Sequence, residues 1–73
     1  MLRTRLRLKV KEVAKAKGFA MGKLSRWSDV DRSTLKLIFD KDDYNPTINT
    51  MWRIAKVLQV AVDDLIEEVP EHE

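Results

Sequence analysis

The stretch "NPTINTMWRIAKVLQVAVDDL", residues 45–65, has the clearest periodic pattern of the chain. Pro46 restrains Asn45 from helical geometry, and Thr47 is a residue type that caps helix N-termini through its side-chain oxygen. Apolar residues then recur at spacings of three and four, as on one wide helix face: Ile48, Met51, Trp52, Ile54, Ala55 and Leu58. The pattern predicts a helix over residues 47–58 that packs against several neighbours, with Trp52 in the core.

Three shorter helices are predicted upstream of this stretch. The first covers residues 8–17 and ends before Gly18, which can adopt the left-handed conformation that closes helices. The second covers residues 21–28 and has one apolar face. The third covers residues 32–39 and follows Asp31, whose carboxylate can accept hydrogen bonds from the first free backbone N–H groups. A short turn separates the second helix from the third.

A fifth helix is predicted at residues 62–67 from the spacing of Val62, Leu65 and Ile66. An acidic tail follows at residues 70–73. The fold class that we expect is therefore all-α, a compact five-helix domain spanning residues 1–73. A short two-stranded pairing of the N- and C-terminal segments is a possible addition to this fold.

The first nine residues show the two-residue period of a strand, in which Leu2, Leu6 and Leu8 alternate with Arg3, Arg5, Arg7 and Lys9. Three interpretations are open. The segment can pair with residues 66–70, whose acids complement its arginines. It can pair with the same segment of a second molecule, or it can be a flexible basic arm for a DNA minor groove. We expect the first, because a two-stranded pair needs adjoining packing and a helical core provides it.

Length and composition limit the classes of protein. At 73 residues the chain is one domain, and a fold of this size buries only about 60% of its unfolded surface. There is no cysteine, which excludes a disulfide framework and a thiolate metal site. No apolar run approaches the roughly 20 residues that cross a bilayer, and the N-terminal alternation is unlike a signal peptide. We therefore expect a cytoplasmic protein with no membrane contact.

Charge is divided unequally along the chain. Residues 1–26 contain nine of the 14 Lys/Arg and one of the 12 Asp/Glu, a net charge of +8, against −6 for residues 27–73 and +2 for the whole. A basic segment of this kind is typical of proteins that bind a polyanion, nucleic acid before membrane.

Five short helices with a tight turn between the second and third resemble the Cro and XRE-like helix-turn-helix family of phage-repressor type, over about residues 8–66. The most specific likeness lies in residues 45–65: Asn-Pro, a capping hydroxyl, an apolar helix with Ile-Ala-Lys, and an acidic pair before Leu65. The resemblance implies a DNA-binding transcription regulator that recognises specific duplex sequences, with residues 32–39 in the major groove. We expect a repressor that acts as a homodimer, because one such helix reads only a half-site.

Carried over position by position, the resemblance implies base contacts from Arg32, Ser33 and Leu37. Arginine can donate two hydrogen bonds to guanine O6 and N7, which discriminates by about 1 to 3 kcal/mol, and leucine can contact a thymine methyl group. The candidate contacts to the DNA backbone are Lys23, Arg26, Thr34, Lys36, Lys41, Tyr44 and Thr47.

The loop after the third helix, "DKDD" at residues 40–43, opposes this interpretation, because its aspartates repel phosphate unless they turn away. The same loop places carboxylates at the first and third positions of a calcium-binding loop. However, Asn45 and Met51 stand where that loop has its glycine and its glutamate. We expect no metal and no cofactor.

An enzymatic activity is not expected. The single histidine, His72, lies in the tail, and the chain has neither a cysteine nucleophile nor a glycine-rich phosphate loop. The alternative to DNA binding is a helix-turn-helix fold used as a protein-interaction adaptor or antitoxin-like subunit, with Leu37, Trp27 and the acidic loop at the contact. Added salt should weaken DNA binding steeply and an adaptor contact little.

Overall fold

The computed structural model describes residues 3–71. It contains four α-helices and two strands, in the order β1 (Thr4–Leu8), α1 (Val10–Ala16), α2 (Met21–Ser28), α3 (Arg32–Asp40), α4 (Ile48–Leu58) and β2 (Ile66–Pro70), with a 3-10 helix (Val62–Leu65) before β2. The first two residues and the last two, including His72, lie outside the described residues, as does that part of the predicted acidic tail.

The prediction of an all-α fold with five helices is wrong. Within residues 3–71 there are four α-helices, and the segment predicted as a fifth, residues 62–67, is a 3-10 helix of four residues. It stays short because Ile66 is already extended in β2, and because the Asp64 carboxylate accepts from the backbone N–H of Ala61 at 3.0 Å, which closes a tight turn.

The two strands form an antiparallel pair in which Leu8 lies opposite Ile66 and Thr4 lies opposite Pro70. The N-terminal segment therefore has the first of its three predicted arrangements, and residues 4–8 are a strand and not a free arm. The backbone N–H of Leu8 also donates to the Asp42 carbonyl at 2.9 Å, which fixes the loop after α3 to the sheet.

The core lies where the four helices meet and is closed on one side by the sheet. Its buried apolar residues are Leu8, Val10, Ala14, Leu24, Val30, Leu35, Ile38, Met51, Ile54, Ala55, Leu58 and Leu65. Each large aliphatic side chain buried in this way stabilises the fold by about 1.5 to 3 kcal/mol. The core thus uses one residue or more from every helix.

The prediction that Trp52 lies in the core is wrong, because half of its surface (50%) is exposed, and Ile48 one turn earlier is 77% exposed. The buried face of α4 consists of Met51, Ile54, Ala55 and Leu58. Ile48 and Trp52 lie on the flank of that face, where no neighbouring element covers them completely.

Two predicted helix caps are confirmed. The Asp31 carboxylate accepts from the backbone N–H of Thr34 at 3.1 Å, and the Thr47 hydroxyl accepts from the backbone N–H of Thr50 at 3.1 Å. Gly18 has a φ of 78°, the left-handed conformation predicted for the end of the first helix.

The turn between α2 and α3 is fixed by its own residues. Asp29 has a φ of 58°, a left-handed conformation that aspartate tolerates better than most residues. Val30 is buried, and its carbonyl accepts from the Ser25 hydroxyl at 2.6 Å. This short turn holds α3 against α2 in a defined orientation.

Candidate nucleic-acid interface

The outer face of α3 presents side chains that the core does not use. Leu35 and Ile38 point inward, whereas Arg32, Ser33 and Lys36 are exposed and Leu37 is 38% exposed. The structure therefore brings the three predicted base-reading residues, Arg32, Ser33 and Leu37, to one surface beside α2. An arginine, a hydroxyl and an apolar side chain on one exposed helix face can together contact base edges in a major groove.

Arg32 lies close to the N-terminal turn of α2. A Cβ atom at Gly22 would be 4.0 Å from Arg32 Nη1, an ordinary van der Waals distance, so the two residues are neighbours. Among residues 3–71, no hydrogen bond or ion pair engages the Arg32 side chain, including with the nearby Asp29 and Asp31. Its guanidinium donors are therefore available to a ligand.

Ser33 and Thr34 both donate to the cap residue Asp31. The Ser33 hydroxyl donates to Asp31 Oδ2, and the Thr34 hydroxyl donates to Asp31 Oδ1 at 2.8 Å. These bonds, that of Ser33 first, lower the pKa of Asp31 to about 2. While the cap is made, both hydroxyls keep only acceptor capacity, which suits the amino groups of adenine or cytosine but not a phosphate.

Of the three aspartates at residues 40–43, at the end of α3 and in the loop that follows, two have a cationic partner. Lys36 Nζ lies 3.5 Å from Asp40 Oδ2, and Arg5 Nη1 lies 3.9 Å from Asp42 Oδ1. Both ion pairs are exposed, so each is weak, and its cation can bind another anion in place of the aspartate. The acidic loop consequently repels phosphate less than its sequence indicates, and Lys36 can leave Asp40 for a phosphate.

The predicted backbone contacts on α2 differ in their surroundings. Arg26 is exposed, whereas Lys23 Nζ lies 4.6 Å from the centroid of the Phe19 ring and 5.0 Å from that of the Trp27 ring. Lys23 is thus held over two aromatic rings, and Arg26 is the more accessible of the two.

The remaining three predicted backbone contacts lie after α3. Lys41 is exposed, and its backbone N–H donates to the Leu37 carbonyl at 2.9 Å. Tyr44 is half-buried and packs against the core. The Thr47 hydroxyl caps α4 and also donates to the Thr50 hydroxyl at 3.0 Å, so this side chain already has a structural role.

A second surface was not predicted as a unit. Trp27 is 63% exposed and meets the Phe19 ring edge-on, with centroids 5.6 Å apart. It lines, with Trp52, a shallow depression of about 360 Å³. The sequence feature that could have indicated this surface is the position of Trp52 at the edge of the apolar stripe of α4, and not at its centre.

The described part of the chain has neither a candidate metal site nor a helix that could span a membrane. Residues 3–71 contain no group of three or more His, Cys, Asp or Glu side chains placed to hold a metal ion. The helices in the same range are too short or too polar to cross a membrane.

The fold is similar to a solved structure, the crystal structure of the transcriptional regulator VanUg. The two chains superpose with a TM-score of 0.74 at 22% sequence identity, over 97% of this chain and 93% of VanUg. Neither a protein-family model nor a curated protein matches the sequence. At this identity, the likeness shows that the chain has the same fold as that regulator.

Proposed function

We propose that the protein is a Cro and XRE-like helix-turn-helix regulator that binds specific sequences in double-stranded DNA, with α3 in the major groove. The observation that carries the proposal is the exposed outer face of α3, where Arg32 has no partner among residues 3–71. The fold shared with a transcriptional regulator supports the same function. The proposed role is binding, without catalysis, in the cytoplasm.

Base reading is assigned to three residues on the outer face of α3. Arg32 donates two hydrogen bonds to a guanine, Leu37 contacts a thymine methyl group, and Ser33 accepts from the amino group of adenine or cytosine. The acceptor role of Ser33 follows from its bond to Asp31, which uses the hydroxyl proton.

Backbone contacts provide affinity without sequence information. Arg26, Lys36 and Lys41 are exposed cations for this role, and Lys23 joins them if it leaves the aromatic rings. Each neutralised phosphate adds about 0.9 to the slope of log affinity against log salt. The three predicted contacts with hydroxyl groups, Thr34, Tyr44 and Thr47, are weaker candidates because each is engaged in a cap or in packing.

The protein is proposed to act as a homodimer and as a repressor. A single recognition helix spans one half-site, and two copies would read half-sites about 34 to 36 Å apart. A dimer bound across a promoter excludes other proteins from the same DNA, which is repression in its simplest form.

The test is selection from a randomised duplex-DNA library at physiological salt, with Arg32→Ala and Lys56→Ala selected in parallel. We expect a two-fold symmetric motif in which Arg32→Ala loses one guanine preference per half-site and Lys56→Ala, a cation on α4, loses none. The same motif from Arg32→Ala would refute the role of Arg32. No DNA retained at all would refute DNA binding.

The second candidate function, a protein-interaction adaptor or antitoxin-like subunit, is favoured by one observation. Trp27 and Leu37 are exposed apolar side chains on neighbouring helices of a small fold. In that case the wild-type protein would retain no DNA, and its binding to the partner would change little with salt.

A further inference from the structure

The two tryptophans of the chain lie together on the surface of α2 and α4. Trp27 and Trp52 line the shallow depression described above, and the residues around it are Ser28, Arg53, Lys56 and Val57. We name these six residues the tryptophan patch. Tryptophan is enriched among the residues that dominate protein interfaces.

The cations of the patch are held beside its aromatic rings. Lys56 Nζ lies 4.8 Å from the centroid of the Trp52 ring, and Lys23 Nζ lies 5.0 Å from that of Trp27 at the margin of the patch. Arg53 donates to the Asp29 carbonyl at 3.3 Å, which orients its guanidinium along the same margin. The patch is therefore an apolar floor with a positively charged edge, and no carboxylate from residues 3–71 lines it.

The positive charge of the tryptophan patch indicates which kind of partner can bind there. In a symmetric contact between two copies, Arg53 and Lys56 would face their own equivalents, and like charges in a desolvated interface are costly. The acidic end of a second copy, where Glu68 and Glu71 are exposed, would instead produce a head-to-tail contact, which builds a ring or an open filament and not a two-fold dimer. Charge complementarity therefore favours a different, acidic protein.

We propose that the tryptophan patch docks an acidic segment of another protein, with an aromatic or aliphatic side chain of that segment between Trp27 and Trp52. Its Asp or Glu residues would pair with Arg53 and Lys56. The patch lies on α2 and α4, whereas the proposed base-reading residues lie on α3, so this proposal does not require base reading. The two surfaces meet at Lys23, at the margin of the patch, which is also a candidate phosphate contact.

The first experiment selects short peptides from a random display library with the wild-type protein as bait. We expect enriched peptides to combine acidic residues with at least one aromatic or aliphatic residue. A synthetic peptide of the enriched sequence is then titrated into the protein while tryptophan fluorescence is recorded. Because both tryptophans of the chain belong to the patch, this signal reports directly on it.

Variants distinguish specific binding at the tryptophan patch from a general effect of the protein's net charge. Lys56→Glu should lower the affinity for the peptide by about tenfold or more, and so should Trp52→Ala. Lys56 is exposed, so its replacement leaves the core intact. Lys11→Glu makes the same charge change on α1, outside the patch, and should leave the affinity unchanged. Arg32→Ala should also leave it unchanged, which separates this proposal from the one on DNA. Circular dichroism confirms that each variant is folded.

Four results would overturn the proposal. They are a library without an acidic consensus, equal peptide affinity in Lys56→Glu and wild type, displacement of the peptide by single-stranded oligothymidylate with the same fluorescence change, and a wild-type dimer that Lys56→Glu dissociates. The third would assign the patch to nucleic acid, and the fourth to a second copy of this chain.

Discussion

The Arg7 guanidinium donates from Nε to Glu67 Oε1 at 2.5 Å and so joins the two strands through residues that are 60 positions apart in the chain. The same side chain donates from Nη2 to Glu12 Oε2 at 2.8 Å, in the first turn of α1. These two bonds, that to Glu67 first, raise the pKa of Arg7. The sheet is therefore attached to the helices through a side chain as well as through the backbone.

Replacement of Glu67 by glutamine should loosen the sheet, because the charged partner of Arg7 across the pair is lost. We expect amide hydrogen exchange along β1 to accelerate by roughly two- to fivefold. Glu68→Gln is the matched control, since Glu68 lies opposite Leu6 and not opposite an arginine. Equal acceleration in both variants would show that the Arg7 contact is not what holds the strands.

Stability should depend on pH through Asp31. Its pKa falls from 3.8 to about 2 in the folded state, so folding favours the charged form. The stabilisation is complete above the unfolded pKa of 3.8 and is lost as the pH falls through about 2. Urea unfolding across this range should therefore show a steeper loss for wild type than for Asp31→Ser, which keeps a capping oxygen without a titrating group. Parallel profiles would contradict the prediction.

Gly22 lies in the first turn of α2, where an added Cβ meets nothing nearer than Arg32 at 4.0 Å. Gly22→Ala should raise the free energy of unfolding by about 0.4 to 1 kcal/mol, because alanine has less backbone freedom to lose. The selected DNA motif should not change. Gly22→Leu reaches further and should displace the guanidinium, so that the guanine preference weakens in a folded protein. An unchanged motif in Gly22→Leu would separate Arg32 from base reading.

Removing the carboxylate that pairs with Lys36 should strengthen DNA binding. Asp40→Asn frees the ammonium group, now 3.5 Å from the carboxylate, for a phosphate. We expect higher affinity and a salt dependence that is steeper by up to about 0.9 in slope. Asp63→Asn makes the same charge change in the 3-10 helix. If both variants raise affinity equally, net charge is the cause and Lys36 binds no phosphate.

Local sequence rules predicted the parts of the fold that a few adjacent residues determine. Asp31 and Thr47 were recognised as helix caps because a capping side chain bonds a backbone group only three residues away. The pair of Lys36 with Asp40 was not predicted, although it is equally local, since residues four apart meet on a helix surface.

The predictions were wrong where the structure depends on contacts between segments that are distant in the sequence. The predicted fifth helix was too long because Ile66 is extended and pairs with Leu8. A local sequence pattern contains no information on that distant contact. Trp52 was placed in the core because periodicity gives the direction of a side chain but not whether a neighbour covers it. At the candidate site, the DNA contacts predicted for Ser33 and Thr34 stay predictions, and the sequence did not show that both hydroxyls donate hydrogen bonds to Asp31.

The pairing of β1 with β2 also has a kinetic consequence. Bringing together strands 60 residues apart closes a long loop, and the entropy of that closure is lost before the contact stabilises the chain. We therefore expect the helices to assemble before the transition state and the sheet to form after it. In stopped-flow measurements, Glu67→Gln would then leave the refolding rate nearly unchanged and accelerate unfolding. The sheet governs how long the native state persists, and not how fast it is reached.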